Sequence, residues 1–404
     1  ELDGRLIALP DDVESARPWV EERQQAGTLT FDDADAVARA FPEWSGIVQS
    51  VAEHWRLRGW PEEAHALLQA AIEASPDDLG LRIAWIEQLT QQGDWERLEP
   101  LAEGLPDEGD TGLHRLWYLG RVAEGRSRPD DALKCYLAMA DRDLAWCGPG
   151  MFYRTSGLLE AAGRSADALA LWTRALAANP DWRQERWMRM VLATQLGDWD
   201  AVREDAALLE LPVDPGRGPI DEIWGLVRLD VPGEDGPLFA MRTGPVTARI
   251  RSIRTPHQPE RFGEVWVFDP GPVDTDEDGT KLFAARTRLA ESGHVCFTVD
   301  GARLGDDVET ELIAFADSQE ASVLRYSSPE YAITDPDRGR SLPATYWKVA
   351  VPEASFDAAM WLAALDGLAA KTDGPLVWLE LWAHLDDPQR LDEQRNTAQA
   401  WGMV

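Results

Sequence analysis

Along the first half of the chain, small and large apolar residues return at fixed offsets between polar ones. Gly59 and Gly93 stand 34 residues apart, and so do Gly163 and Gly197. Ala64, Leu98 and Ala132 keep the same spacing, and Ala168 follows 36 residues later. A unit of this length predicts a stack of antiparallel helical hairpins. The glycine permits the tight turn between the two helices. A small residue such as Ala64 or Ala168 lets the second helix lie close to the first. The large residue four positions on fills the gap, and proline ends the second helix. Two turn segments, Gln92-Gly93-Asp94-Trp95 and Leu196-Gly197-Asp198-Trp199, are nearly copies of each other. Ahead of the repeats, residues 1–44 predict a helical cap with helices over 18–25 and 32–40. The second of these is opened by Thr30, Asp32 and Asp33.

The pattern changes after position 212. Asp214, Pro215, Gly216, Arg217 and Gly218 mark a linker over 213–222. Alternating apolar and polar residues then predict strands over 223–231, 238–242, 246–253 and 264–268. Beyond them the expected order is helix 281–291, strand 294–299, helix 307–318 and strand 323–326. A polar loop over 327–341 precedes strand 345–351, helix 355–370, strand 376–383 and helix 388–400. The chain is thus expected to be multidomain, an all-α solenoid followed by an α+β mixed-sheet domain over 223–404. That domain is β-rich over 223–270 and alternates helix and strand over 277–404. The element order of the later part suits two split βαβ units of ferredoxin-like type.

The repeats carry further fixed positions. Residues 45–78 hold Trp55, Gly59, Ala64, Leu68, Ala71 and Pro76, and residues 79–112 hold Trp85, Leu89, Gly93, Leu98, Ala102 and Leu105. The third repeat, from Leu113, has Leu119, Gly120, Ala132, Tyr136 and Met139. The fourth, from Pro149, has Leu159, Gly163, Ala168, Trp172, Ala175 and Pro180, and the fifth, from Arg183, has Gly197, Val202, Ala206 and Leu209. In this order they resemble the tetratricopeptide repeat (TPR) family over residues 45–212, as about five repeats. The sequence departs from the pattern at Ser127, in place of the turn glycine, and at Leu98 and Val202, where alanine is usual.

The resemblance implies a concave groove lined by the second, fifth, ninth and twelfth positions of each repeat. Carried over by register, the fifth position holds Trp117, Tyr153 and Trp187 in three successive repeats. Neighbouring groove positions hold Gln49, Glu53, Arg56, Glu87, His114, Arg121, Glu124, Glu160 and Gln184. Aromatic anchors beside polar groups suit peptide recognition, because they offer large contact area at low entropy cost. The expected function is therefore capture of a peptide or partner segment by a non-enzymatic protein.

Charge narrows the partners. The 404 residues carry a formal charge of −33, a field that repels nucleic acid and anionic membrane and draws basic partners. That keeps open an alternative in which the whole protein is an acidic inhibitor or immunity-type partner of a basic enzyme such as a nuclease. A third reading makes the C-terminal domain a ligand-sensing or catalytic unit targeted by the repeats. The three cysteines, Cys135, Cys147 and Cys296, show no ligand spacing, so a bacterial-like chain in a reducing, cytoplasmic setting is expected. The opening residues lack the charged and apolar regions of a signal peptide, although Glu1 is not an initiator methionine.

Candidate chemistry is sparse. Asp274, Asp276, Asp278 and Gly279 match the first half of a calcium loop, but its twelfth position is Ala285, and Lys281 sits two past the glycine. An acidic turn capping a helix from Lys281 is the expected outcome, with no metal. Arg249, Arg251, Arg254 and Arg261, with His257, form a candidate anion patch in an acidic chain. His294 and Cys296 share a strand face and read as core. No catalytic or cofactor motif stands out, so neither a cofactor nor catalytic residues are expected.

Overall fold

The computed structural model describes residues 9–253 and 260–403. Within the first of two units, Glu1–Asp181, the helices are α1 (Val13–Gln25), α2 (Phe31–Ala40), α3 (Ser45–Leu57), α4 (Pro61–Ala74), α5 (Leu79–Gln92), α6 (Trp95–Glu103), α7 (Gly109–Gly125), α8 (Pro129–Arg142), α9 (Pro149–Ala161) and α10 (Ser165–Ala178). From α3 to α10 they are successive hairpins, each second helix packing on its first, and α2, α4, α6 and α8 also pack on the helix that follows. The cap forms as its residues dictate. Thr30 Oγ1 accepts from the Asp33 amide at 3.1 Å while the Asp33 carboxylate accepts from the Thr30 amide at 3.0 Å, a closed capping box at the start of α2.

The turns show why the repeat spacing holds. Gly93 ends α5 with φ +73°, and Asp94 then caps α6 by accepting from the Arg97 amide at 3.1 Å. Where serine replaces glycine, Ser127 is driven into the same left-handed region at φ +57°. The hairpin geometry persists and the serine bears the strain. The departures at Leu98 and Val202 have a packing reason. Elsewhere the small residue is followed four positions on by a large one: Ala64 by Leu68, Ala132 by Tyr136 and Ala168 by Trp172, all fully buried. At Leu98 and Val202 the order inverts, because Ala102 and Ala206 stand four positions on, also buried. Leu98 with Ala102 matches the volume of Ala64 with Leu68, an exchange that cores tolerate, whereas Val202 with Ala206 is a smaller pair.

The second unit, Trp182–Val404, opens with the fifth hairpin, α11 (Arg186–Leu196) and α12 (Trp199–Leu208). The break thus precedes this hairpin instead of falling at the linker over 213–222. Trp187 and Val191 of α11 pack on Val246, Val267 and Leu289, which ties the hairpin to the sheet that follows. Inside the hairpin the Asp205 carboxylate accepts from Arg186 at 3.0 Å and from Arg189 Nε at 2.7 Å.

The sheet comprises β1 (Gly225–Asp230), β2 (Leu238–Arg242), β3 (Thr247–Ile250), β4 (Val265–Phe268), β5 (Asp274–Thr275) and β6 (Lys281–Ala290). β1, β2, β3, β4 and β6 form an antiparallel meander, and β1 pairs parallel with β6, from Arg228↔Leu282 to Asp230↔Ala284. With five strands running alternately, the first and last point the same way and the sheet closes into a small barrel around Leu229, Ala240, Ile250 and Phe268. The expected helix over 281–291 is therefore strand β6. Leucine, alanine and arginine make the segment a good helix former, but it bonds to β1, β4 and β5 at once. Tertiary pairing overrides local propensity there.

The chain then runs through β7 (His294–Ala302), α13 (Asp306–Ser318), β8 (Ser322–Arg325), β9 (Ala332–Thr334), β10 (Ser341–Pro352), α14 (Ala358–Ala369), β11 (Leu376–Val377), α15 (Leu379–His384) and α16 (Pro388–Trp401). The second sheet has the order β11-β7-β10-β8 with every neighbour antiparallel, and β9 pairs with β10. β7-α13-β8 encloses β10, and β10-α14-β11 encloses β7, the two split βαβ units expected from element order. Phe297, Val299, Val349 and Val351 meet Leu312, Trp361 and Leu365 of the helices. Two expectations shift. The strand over 376–383 is only β11 before α15 begins, and the loop over 327–341 contains β9.

Candidate functional site

Of the residues that register assigns to a groove, four lie on α7. His114, Trp117, Arg121 and Glu124 recur at three- and four-residue intervals and so share one face of this helix. Each is half-buried. Arg121 lies 5.7 Å over the Trp117 ring, whose other neighbour is the buried Tyr136 ring at 5.6 Å. Glu124 is the polar node. Its Oε2 accepts from the Tyr136 hydroxyl at 2.7 Å and from Arg154 of α9 at 3.1 Å, and Arg121 Nε stands 3.5 Å away. Two guanidinium groups therefore face one carboxylate. Burial, followed by the nearby Arg154 charge, holds Arg121 below its ordinary pKa. Burial and the Glu124 bond push the Tyr136 phenol well above its own.

Next to Arg154, Tyr153 is exposed and stands edge-on to the buried Trp172 ring at 5.1 Å. At the other side of α7, His114 stacks on Tyr118 at 6.0 Å and meets Trp146 edge-on at 5.0 Å. The Tyr118 hydroxyl donates to Glu87 of α5 at 3.3 Å, and the Glu87 side chain is otherwise open to solvent. On α3, Arg56 Nε donates to Glu53 at 2.7 Å, so that pair neutralises itself. Gln49 is half-buried near Gly80, and Glu160 lies 3.4 Å from the Ser156 hydroxyl.

Trp117, Arg121, Glu124, Glu87, His114 and Tyr153 thus lie on connected helices of one unit. Trp187 and Gln184 fall in the second unit. There Trp187 is packed with Val191, Val246, Val267 and Leu289, and Gln184 is exposed. Register alone gives no sign that a sheet occupies the side of α11 bearing Trp187. Repeat spacing likewise hides Arg154 and Tyr136, since one lies off the groove register and the other marks a packing position.

Arg249 donates to Asp221 at 2.7 Å, and Arg261 is held by Glu234 at 3.0 Å and Glu264 at 3.2 Å. Arg251 lies over the Phe262 ring at 5.1 Å, while Arg254 and His257 fall outside the described residues. Carboxylates already neutralise two of the four arginines. The acidic turn precedes strand β6, not a helix: Asp276 pairs with Arg228, and Asp278 accepts from the Thr280 amide at 2.9 Å. Among the described residues no group of three or more His, Cys, Asp or Glu side chains is arranged to hold a metal. Nor is any described helix long and apolar enough to cross a membrane. Cys296 packs beside Ile253, Phe262 and Ala350, and burial pushes its thiol far above the usual range.

The N-terminal unit is an array of helical hairpins, and the solved structures similar to this part of the chain include TPR proteins. PilF of Pseudomonas aeruginosa is 13% identical over 49% of this chain and 90% of its own, with a TM-score of 0.37. MamA from Desulfovibrio magneticus RS-1 is 11% identical over 43% of this chain and 99% of its own, with a TM-score of 0.34. YrrB, a TPR protein with an unusual peptide-binding site, is 15% identical over 44% of this chain and 89% of its own, with a TM-score of 0.30. The C-terminal sheets are not matched by these structures. No protein-family model and no curated protein matches the chain.

Proposed function

We propose that this is a non-enzymatic interaction protein whose hairpin array captures an extended segment of another protein across α5, α7 and α9. The observation that carries the reading is that Trp117 stacks with Arg121, which faces Glu124, while the exposed Tyr153 lies on the next first helix beside the Arg154 that reaches the same carboxylate. Aromatic rings held by neighbours lose little entropy on binding and supply broad contact area. Glu87, reached by one phenol and open to solvent, offers a carboxylate to a basic residue of that segment. A net charge of −33 favours approach of such a partner. Trp187 has no place in this contact, because it packs on the barrel. A cytoplasmic location is consistent with this reading.

Selection of binders from a random peptide display library against the full chain tests the proposal. The selected peptides should be enriched in a basic residue beside an apolar or aromatic one. They should lose at least roughly tenfold in affinity for a Trp117→Ala/Tyr153→Ala variant, as expected for aromatic hot spots. The variant should still melt cooperatively, with a lowered midpoint because Trp117 packs on the Tyr136 ring. Peptides that bind parent and variant equally would overturn the proposal.

A further inference from the structure

We propose that the second unit carries its own binding site, the outer edge of β8, which accepts an extended acidic segment as an added strand. Among the described residues β8 pairs only with β10 and ends the sheet. The Tyr326 amide donates to the Tyr346 carbonyl at 2.8 Å. Alternation along an antiparallel ladder then directs the amides and carbonyls of Val323 and Arg325 away from β10. Such a row of unpaired backbone groups is a template for another strand.

Two clefts adjoin this edge. One, of about 400 Å3, is lined by Phe239, Arg251, Ser252, Leu324, Arg325 and Tyr326. The other, of about 430 Å3, includes Arg303, Asp306, Glu309, Arg325 and Ser327. Leu324 and Tyr326 border the first, Ser327 the second, and Arg325 both. This follows the two-residue period of a strand, so successive side chains of an added strand would enter the two clefts alternately.

Charge selects the occupant. In a chain of net charge −33, Arg251 and Arg325 are exposed, and neither forms an ion pair among the described residues. Arg251 is held in place over the Phe262 ring. Phe239 and Tyr326, both about half exposed, give the same cleft apolar walls. A side chain entering it meets guanidinium and aromatic surface together, which suits a carboxylate on an apolar stem. Asp306 and Glu309 border the second cleft, so the acidic side chains belong on the Arg251 side. An arginine on an edge strand also deters pairing with basic strands, which makes charge the discriminating feature.

The test uses the full chain and a fluorophore-labelled hexapeptide of alternating valine and glutamate, read by fluorescence anisotropy. Two rivals accompany it: the same peptide with lysine for glutamate, and the glutamate peptide N-methylated at alternate residues. The glutamate peptide should bind at least roughly tenfold more tightly than either rival, and Arg251→Glu should erase its advantage over the lysine peptide. Equal binding of the glutamate and lysine peptides would overturn the proposal. Indifference to N-methylation would overturn strand addition. Self-association of the free chain that Arg251→Glu abolishes would also contradict it, since a second copy would then own the edge.

Discussion

The hairpin array and the barrel solve the same problem of burying apolar residues in opposite ways. In the array successive hairpins pack on one another, and a small–large pair four positions apart recurs on α4, α6, α8 and α10. In the barrel, β1 must find β6 some fifty residues on before the sheet closes. Local packing tolerates exchange. Ala64 with Leu68 and Leu98 with Ala102 fill equivalent gaps with the order reversed. Closure over long separations leaves less latitude, because it depends on one register, Arg228↔Leu282 to Asp230↔Ala284. The comparison teaches where change is tolerated, and therefore where a binding face can diversify without loss of the fold.

The largest expected effect is at Asp205, inside the fifth hairpin on which the barrel packs. Asp205→Ala removes a fully buried carboxylate from beside Arg186 and Arg189 and should destabilise the second unit by about 3–5 kcal/mol. Hydrogen exchange should show the loss across 182–404; a loss confined to 9–181 would contradict the assignment of this hairpin to the second unit. In the array, a β-carbon at Gly120 would fall 2.3 Å from the Tyr136 ring. Gly120→Ala should cost about 1–3 kcal/mol of stability by overpacking, seen in denaturant melts followed at the tryptophans. A neutral result would mean that α7 and α8 lie farther apart than described.

Smaller effects sharpen the same contrast. Ser127→Gly relieves the left-handed backbone at φ +57° and should stabilise the array by about 0.5–1 kcal/mol, read as a raised melting temperature. The smallest expected effect is at His65, 5% exposed, beside Arg97 at 3.3 Å and Glu62 at 4.0 Å, with Asp94 near. Burial first, then the Arg97 charge, lower its pKa against the opposing pull of Glu62 and Asp94. The unfolded chain then binds more protons than the folded one below about pH 6.5, so stability falls as pH drops through that value and is recovered above it. His65→Gln should flatten this acid limb in urea melts at pH 7, 6 and 5. An unchanged limb would assign it to other groups.

How far the sequence is legible follows the same division. The hairpins, their glycine turns and the Thr30 cap are local, and their residues announce them. That His114, Trp117, Arg121 and Glu124 share one face of α7 is legible from their spacing, but the contacts that give this face its chemistry are not. Arg154 reaches Glu124 from the next repeat, and no spacing rule links the two. Trp187 shows the limit, for its position in the repeat matches that of Trp117 while its surroundings belong to a sheet. The segment 281–290 fails for a similar reason, as partners distant in sequence decide its state. Element order nevertheless sufficed for the split βαβ units, because right-handed crossovers leave few ways to arrange two of them.

The central claim is that partner segments dock on the face of α5, α7 and α9. Hydrogen exchange of the full chain, with and without a saturating selected peptide, tests it most directly. The account predicts that protection gained on binding concentrates within residues 79–161 and vanishes in the Trp117→Ala/Tyr153→Ala variant. Protection confined to 182–404, or equal in parent and variant, would contradict it.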